Sequence, residues 1–143
     1  MRRLCLDLFS GTGSLSEAFL QAGWDVIRID NDPRFKDVSN TIIGDATDSY
    51  FVRRMTDFRG VSVLLRSPPC DAFSVASIGS HWTGGIRGYV PKDEKTRKAV
   101  EVLKQAHGMP TLYHPTYHFL EQPRCVARKI IGEPTGTAWL CRY

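Results

Sequence analysis

Long apolar runs are missing from this chain of 143 residues. No window approaches the roughly 18 consecutive apolar residues of a membrane span, so no membrane association is expected. The amino terminus, Met1-Arg2-Arg3-Leu4, has no small-residue cleavage site and does not read as a secretory signal. Cysteine is scarce, at positions 5, 70, 125 and 141, and no Cys-x-x-Cys pair occurs. That spacing excludes a regular zinc motif or a disulfide framework. His81, His107, His114 and His118 show no metal-ligand spacing either, so no metal is expected. The Gly-x-Gly-x-x-Gly fingerprint and the Gly-Lys-Ser/Thr phosphate loop are both absent, which disfavours a dinucleotide or a nucleoside triphosphate. A cytoplasmic protein is the expectation, and a monomer.

What is present suits one globular domain over residues 1–143: 42% hydrophobic and 24% charged, without the charge excess of a disordered chain. The charge is uneven. Residues 1–75 hold nine Lys and Arg against ten Asp and Glu, whereas residues 76–143 hold ten against five. A basic carboxyl half suits either a polyanionic partner or a solvated face.

Short apolar runs alternate with amphipathic stretches. Leu4 to Phe9 reads as a buried strand that ends in the turn Ser10-Gly11-Thr12-Gly13-Ser14. Ser14 with Glu17 forms a capping-box pattern for a helix that Gly23 stops. Further strands are predicted over Trp24–Ile29, Thr41–Ile43, Val61–Leu65, Tyr117–Leu120 and Thr137–Cys141, and helices over 48–58, 92–104 and 124–131. Residues 79–91, with four glycines and one proline, read as a loop. Such alternation predicts an α/β fold, a Rossmann-like doubly wound and mainly parallel sheet.

Ligands of such sheets bind beyond the carboxyl ends of the strands. Asp7 with the glycine turn, Asp30, Asp45, Cys70 and Glu121 all fall at predicted strand ends. The turn Phe9-Ser10-Gly11-Thr12-Gly13-Ser14 lets a backbone approach a ligand closely. Asp30 can accept from ribose hydroxyls and Asp45 from an adenine amino group. The helix start near Ser14 offers N–H groups to a carboxylate. Ribose, adenine and carboxylate together describe S-adenosylmethionine. Glycines serving only a tight turn, and aspartates serving only as caps, would give the same pattern.

Asp7-Leu8-Phe9-Ser10-Gly11-Thr12-Gly13-Ser14, Ser67-Pro68-Pro69-Cys70-Asp71-Ala72-Phe73-Ser74 and Glu121-Gln122-Pro123-Arg124 occur in that order. They resemble the cofactor, nucleophile and glutamate motifs of the DNA (cytosine-5) methyltransferases, most of all short phage-type members. The resemblance covers nearly the whole chain. It implies Cys70 as nucleophile, Glu121 as its partner at the base, and cofactor contacts that add Asn31, Ala46 and Pro68 to the residues above. It implies DNA with a flipped cytosine as the partner, with Ser74, Arg124, Arg128 and Lys129 as candidate nucleic-acid contacts.

The chemistry accounts for the pair. Cytosine C5 is too poor a nucleophile to attack a sulfonium methyl group, and a thiolate added at C6 makes it reactive. A carboxyl group at N3 and the exocyclic amine compensates the charge that develops on the ring. The base must leave the duplex to reach such a pocket.

Some positions depart from the family pattern. Gln122 stands where asparagine is usual, Arg66 ends a buried strand, and Gly108 and Pro110 interrupt a helical stretch. Leu140-Cys141-Arg142-Tyr143 resembles a strand that relatives continue beyond, so a target-recognition segment is expected to be lacking. Two other readings stay open. One is an exocyclic amino methyltransferase, against which Cys70 speaks because that class places an aromatic residue there. The other is a catalytically silent remnant.

Overall fold

A computed structural model describes residues 3–57, 60–85 and 88–137. Five strands form one sheet: β1 (Leu4–Leu8), β2 (Asp25–Asp30), β3 (Thr41–Ile43), β4 (Val63–Arg66) and β7 (Tyr117–Leu120). They stand in the order β3-β2-β1-β4-β7, and every pairing is parallel. The order reverses between β1 and β4, the position at which open α/β sheets bind ligands.

Burial explains the architecture. All five residues of β1 are buried, as a central parallel strand covered on both faces requires. Leu4, Leu6 and Leu8 face one core with Val52 of α2 (Ser49–Met55) and Ala106 of α4 (Glu94–Gly108). Cys5 faces the other, with Val26, Val63 and Leu65 beneath Phe19 and Leu20 of α1 (Glu17–Gln21). The doubly wound α/β fold therefore follows the alternation of the sequence.

Three expectations change. Residues 79–91 are not a plain loop. A single turn, α3 (Ile78–His81), leads into β5 (Trp82–Thr83), which pairs antiparallel with β6 (Val90–Pro91). Trp82 drives this: it is buried, and its indole N–H donates to Ala72 O at 2.6 Å. The helix predicted over 92–104 starts at Glu94, where Asp93 accepts from Thr96 N–H, and extends to Gly108. A single residue, Met109, separates it from α5 (Pro110–Tyr113). The helix predicted from Arg124 is the short α6 (Ala127–Ile131). The last predicted strand, 137–141, lies outside the described residues apart from Thr137.

Candidate active site

The chain leaves β1 through a turn with three left-handed residues: Phe9 at φ 59°, Gly11 at 51° and Gly13 at 77°. Gly11 N–H donates to Asp30 Oδ2 at 2.8 Å, and Asp32 N–H donates to Oδ1 at 2.9 Å. Asp30 thus holds the glycine turn and the chain after β2 together. A Cβ at Gly11 would meet only Phe35 Cζ, at 3.9 Å, so the turn faces open space. Ser10 Oγ is buried and has no hydrogen-bond partner.

Beneath the turn lies a network that the sequence reading missed. Arg28, on β2, is 1% exposed. Its guanidinium donates to Ser16 Oγ (2.8 Å), Gly13 O (3.0 Å), Ser39 O (2.9 Å) and Glu17 Oε2 (2.9 Å). Ser16 Oγ in turn donates to Asp7 Oδ2 at 2.6 Å. Asp7 is the last residue but one of β1. It is fully buried inside β1, with burial pushing its carboxyl above the usual range and Ser16 opposing that shift. Gly13 is required by Arg28, because a Cβ there would stand 2.6 Å from the guanidinium carbon.

The same network cancels the expected capping box. Glu17 is drawn to Arg28, so it does not fold back onto Ser14. The helix starts at Glu17, and Ser14 lies exposed in the preceding turn. A five-residue helix that begins there does not supply the N–H cradle expected near Ser14. The one sequence signal of the network was a charged residue inside an apolar strand.

At the next strand ends, Asn31 is exposed and Ala46 is buried in the core. Asp45 is exposed, and its Oδ1 accepts from the N–H (2.8 Å) and hydroxyl (2.7 Å) of Thr47, closing its own turn.

The other half of the edge is organised differently. Ser67 N–H donates to Leu8 O at 3.1 Å, carrying the chain past β1. Pro68 is buried, and Pro69 and Cys70 are exposed. Phe73 N–H donates to Cys70 O at 2.9 Å, and Ala72 and Phe73 sink into a second small core with Trp82, Leu103, Val126 and Ala127. That core anchors the segment directly after Cys70. Across β4, Glu121 N–H donates to Arg66 O at 2.9 Å. Gln122 Nε2 donates to Pro68 O at 2.8 Å, so Gln122 staples the two strand-end loops together.

Cys70 and Glu121 follow the adjacent parallel strands β4 and β7, and both are exposed. Partial burial pushes the Cys70 thiol above its ordinary value of 9.0, and the Glu121 carboxylate adds to that, with Asp71 a smaller contributor and a backbone hydrogen bond opposing. Cys5, deep in the sheet, is pushed up to about 12, mainly by burial, and is inert by comparison. Cys125 is half-buried, and Cys141 lies outside the described residues.

Of the candidate nucleic-acid contacts, Ser74 Oγ bonds Ser77 Oγ at 2.8 Å, Arg124 and Lys129 are exposed, and Arg128 is engaged by Glu133 (3.1 Å) and Thr137 (3.3 Å). Among the described residues no helix is long and apolar enough to cross a membrane, and no group of three or more His, Cys, Asp or Glu is placed to hold a metal ion. No family model and no curated protein matches the chain.

Proposed function

We propose that this chain transfers a methyl group from S-adenosylmethionine to C5 of cytosine in DNA, with Cys70 as covalent nucleophile. The observation that carries the reading is an exposed cysteine and an exposed carboxylate in the segments that follow adjacent parallel strands, β4 and β7, which the Gln122 amide joins through Pro68 O. The cofactor fits the β1–β2 half of the edge on two counts. Space is open over Gly11, and Ser10 Oγ is a buried hydroxyl without a partner. Asp30, whose oxygens each accept one backbone N–H, keeps lone pairs for ribose hydroxyls. Phe9 to Ser14, Asp30 and Asp45 would hold the cofactor, which supplies an electrophilic methyl group when bound.

The chain's own residues do the rest. Cys70 Sγ adds to C6 of the flipped base, and Glu121 hydrogen-bonds N3 and the exocyclic amine as charge develops there. Pro68 and Pro69 restrict the backbone that presents the sulfur. After loss of the C5 proton, the thiolate leaves. DNA is held by phosphate contacts from the basic carboxyl half, so its binding weakens with salt.

DNA carrying 5-fluorocytosine tests this, because fluorine is not eliminated as a proton is and the thioether persists. With S-adenosylmethionine present, at low salt and with excess DNA, the chain should form an adduct that Cys70→Ser abolishes, since methylated and fluorinated C5 has no proton to lose. Glu121→Gln should slow the adduct by about 10²–10⁴-fold. Methyl transfer without an adduct would point to exocyclic amino methylation instead, and absence of both adduct and transfer to a silent remnant.

A further inference from the structure

Arg66 is 2% exposed at the end of β4, and among the described residues no carboxylate pairs with it. An isolated buried cation is costly, so its partners decide what it does. They are almost all backbone. Nη1 donates to Ala106 O at 2.7 Å and, longer, to His107 O at 3.4 Å. Nε donates to Phe119 O at 3.2 Å, and Nη2 meets His118 Nδ1 at 3.0 Å.

The carbonyl of Ala106 explains the arrangement. In a continuous α-helix it would accept from the N–H of residue 110. Residue 110 is proline and has no N–H. The guanidinium supplies the missing donor, at a helix end whose carbonyls favour a cation. Two separate departures from the family pattern, Arg66 and Pro110, thus become one compensated pair. The same arginine touches both halves of the candidate site. Its own carbonyl accepts Glu121 N–H, its side chain bonds Phe119 O two residues earlier, and the Pro68-Pro69-Cys70 segment starts two residues after it.

We propose that Arg66 is a positioning residue for the Cys70–Glu121 pair, its guanidinium replacing the amide that Pro110 lacks and fixing the ends of β4 and β7 against α4. The proposal rests on reading that pair as the reacting groups, but its test needs neither DNA nor cofactor. The Glu121 carboxylate is one of the groups that raise the Cys70 thiol, after burial, so the Cys70 profile responds to where Glu121 stands.

The experiment is the pH profile of Cys70 alkylation by iodoacetamide, read peptide by peptide with Cys125 as internal reference. In Arg66→Met the loosened Glu121 should let Cys70 react at lower pH. A drop of half a pH unit is about threefold in rate at pH 8. Arg66→Lys, which keeps a charge and a donor, should fall between, and it carries the test if Arg66→Met does not fold. Thermal unfolding supplies the second arm. Pro110→Ala restores the amide, so the Tm loss from Arg66→Met should shrink to about half or less in that background. A folded Arg66 variant whose Cys70 profile coincides with the wild type overturns the proposal, as do Tm losses that simply add. A chain that shows the shift but forms no adduct with fluorinated DNA loses the methyl-transfer reading and keeps the clamp. An adduct with an unchanged profile has the opposite meaning.

Discussion

The β1–β2 side of the carboxyl edge is underlain by two buried charges, Asp7 and Arg28, linked through Ser16, whereas the β4–β7 side presents its candidate groups to solvent. Under the glycine turn, Asp7, Ser16, Arg28 and Glu17 form a connected network, and each Asp30 oxygen accepts one backbone N–H. Cys70 and Glu121 are exposed and are held from behind, by Arg66 and by the Gln122 amide. The difference teaches where stability and reactivity sit. A cofactor-type turn needs a fixed backbone and can build it from buried polar bonds. A sulfur that must meet a base needs access, so its rigidity has to come from residues that do not surround it.

The sharpest way to break this contrast is Arg28→Leu. Removing one member of a buried charged network costs about 3–5 kcal/mol, which urea unfolding would register. Cys70→Ser should stay within about 0.5 kcal/mol of wild type in the same assay, as an exposed substitution does. Similar losses for the two variants would erase the distinction. A smaller effect is expected from Asp30→Ala. Calorimetry should show S-adenosylmethionine binding weakened by about 1–3 kcal/mol, the scale of hydrogen bonds to a charged group. Undiminished affinity would leave Asp30 as a backbone brace alone.

The smallest effect is a pH dependence on the β4–β7 side. Burial, and then the charges of Arg66 and His107, hold the His118 imidazole below its ordinary value of 6.5. Its Nδ1 must stay unprotonated to accept from Arg66. The unfolded chain therefore takes up the proton first, and stability should decline as pH falls below about 6.5. His118→Gln should flatten that slope in urea midpoints, and an unchanged slope would remove His118 from the account.

Much of the fold was legible because parallel strands are apolar runs. The predicted strands Thr41–Ile43 and Tyr117–Leu120 and the start at Leu4 agree with the structure, and the remaining bounds of the described sheet strands differ by one or two residues. The hairpin of β5 and β6 was hidden because its strands are two residues each, and its anchor is one tryptophan bonding a carbonyl ten residues away. At the site, the placement of Asp30, Cys70 and Glu121 at or just past the ends of three parallel strands followed from the predicted strands. The burial of Asp7 did not, since it depends on Ser16 and Arg28 meeting across two elements. Ser14 and Glu17 satisfied a local capping rule, and a long-range ion pair overrode it. The staple by Gln122 spans 54 residues of sequence, which no local pattern records.

The bond from Arg66 to Ala106 also sets the order in which this chain can change over generations. Replacing Arg66 by an apolar residue while Pro110 remains strands a buried carbonyl, a loss of roughly 1–3 kcal/mol that selection would see. Replacing Pro110 first is mild, because a carbonyl oxygen has two lone pairs and can take a restored amide beside the guanidinium. Only then does position 66 become free to lose its charge. Descendants are therefore expected to shed the proline before the arginine.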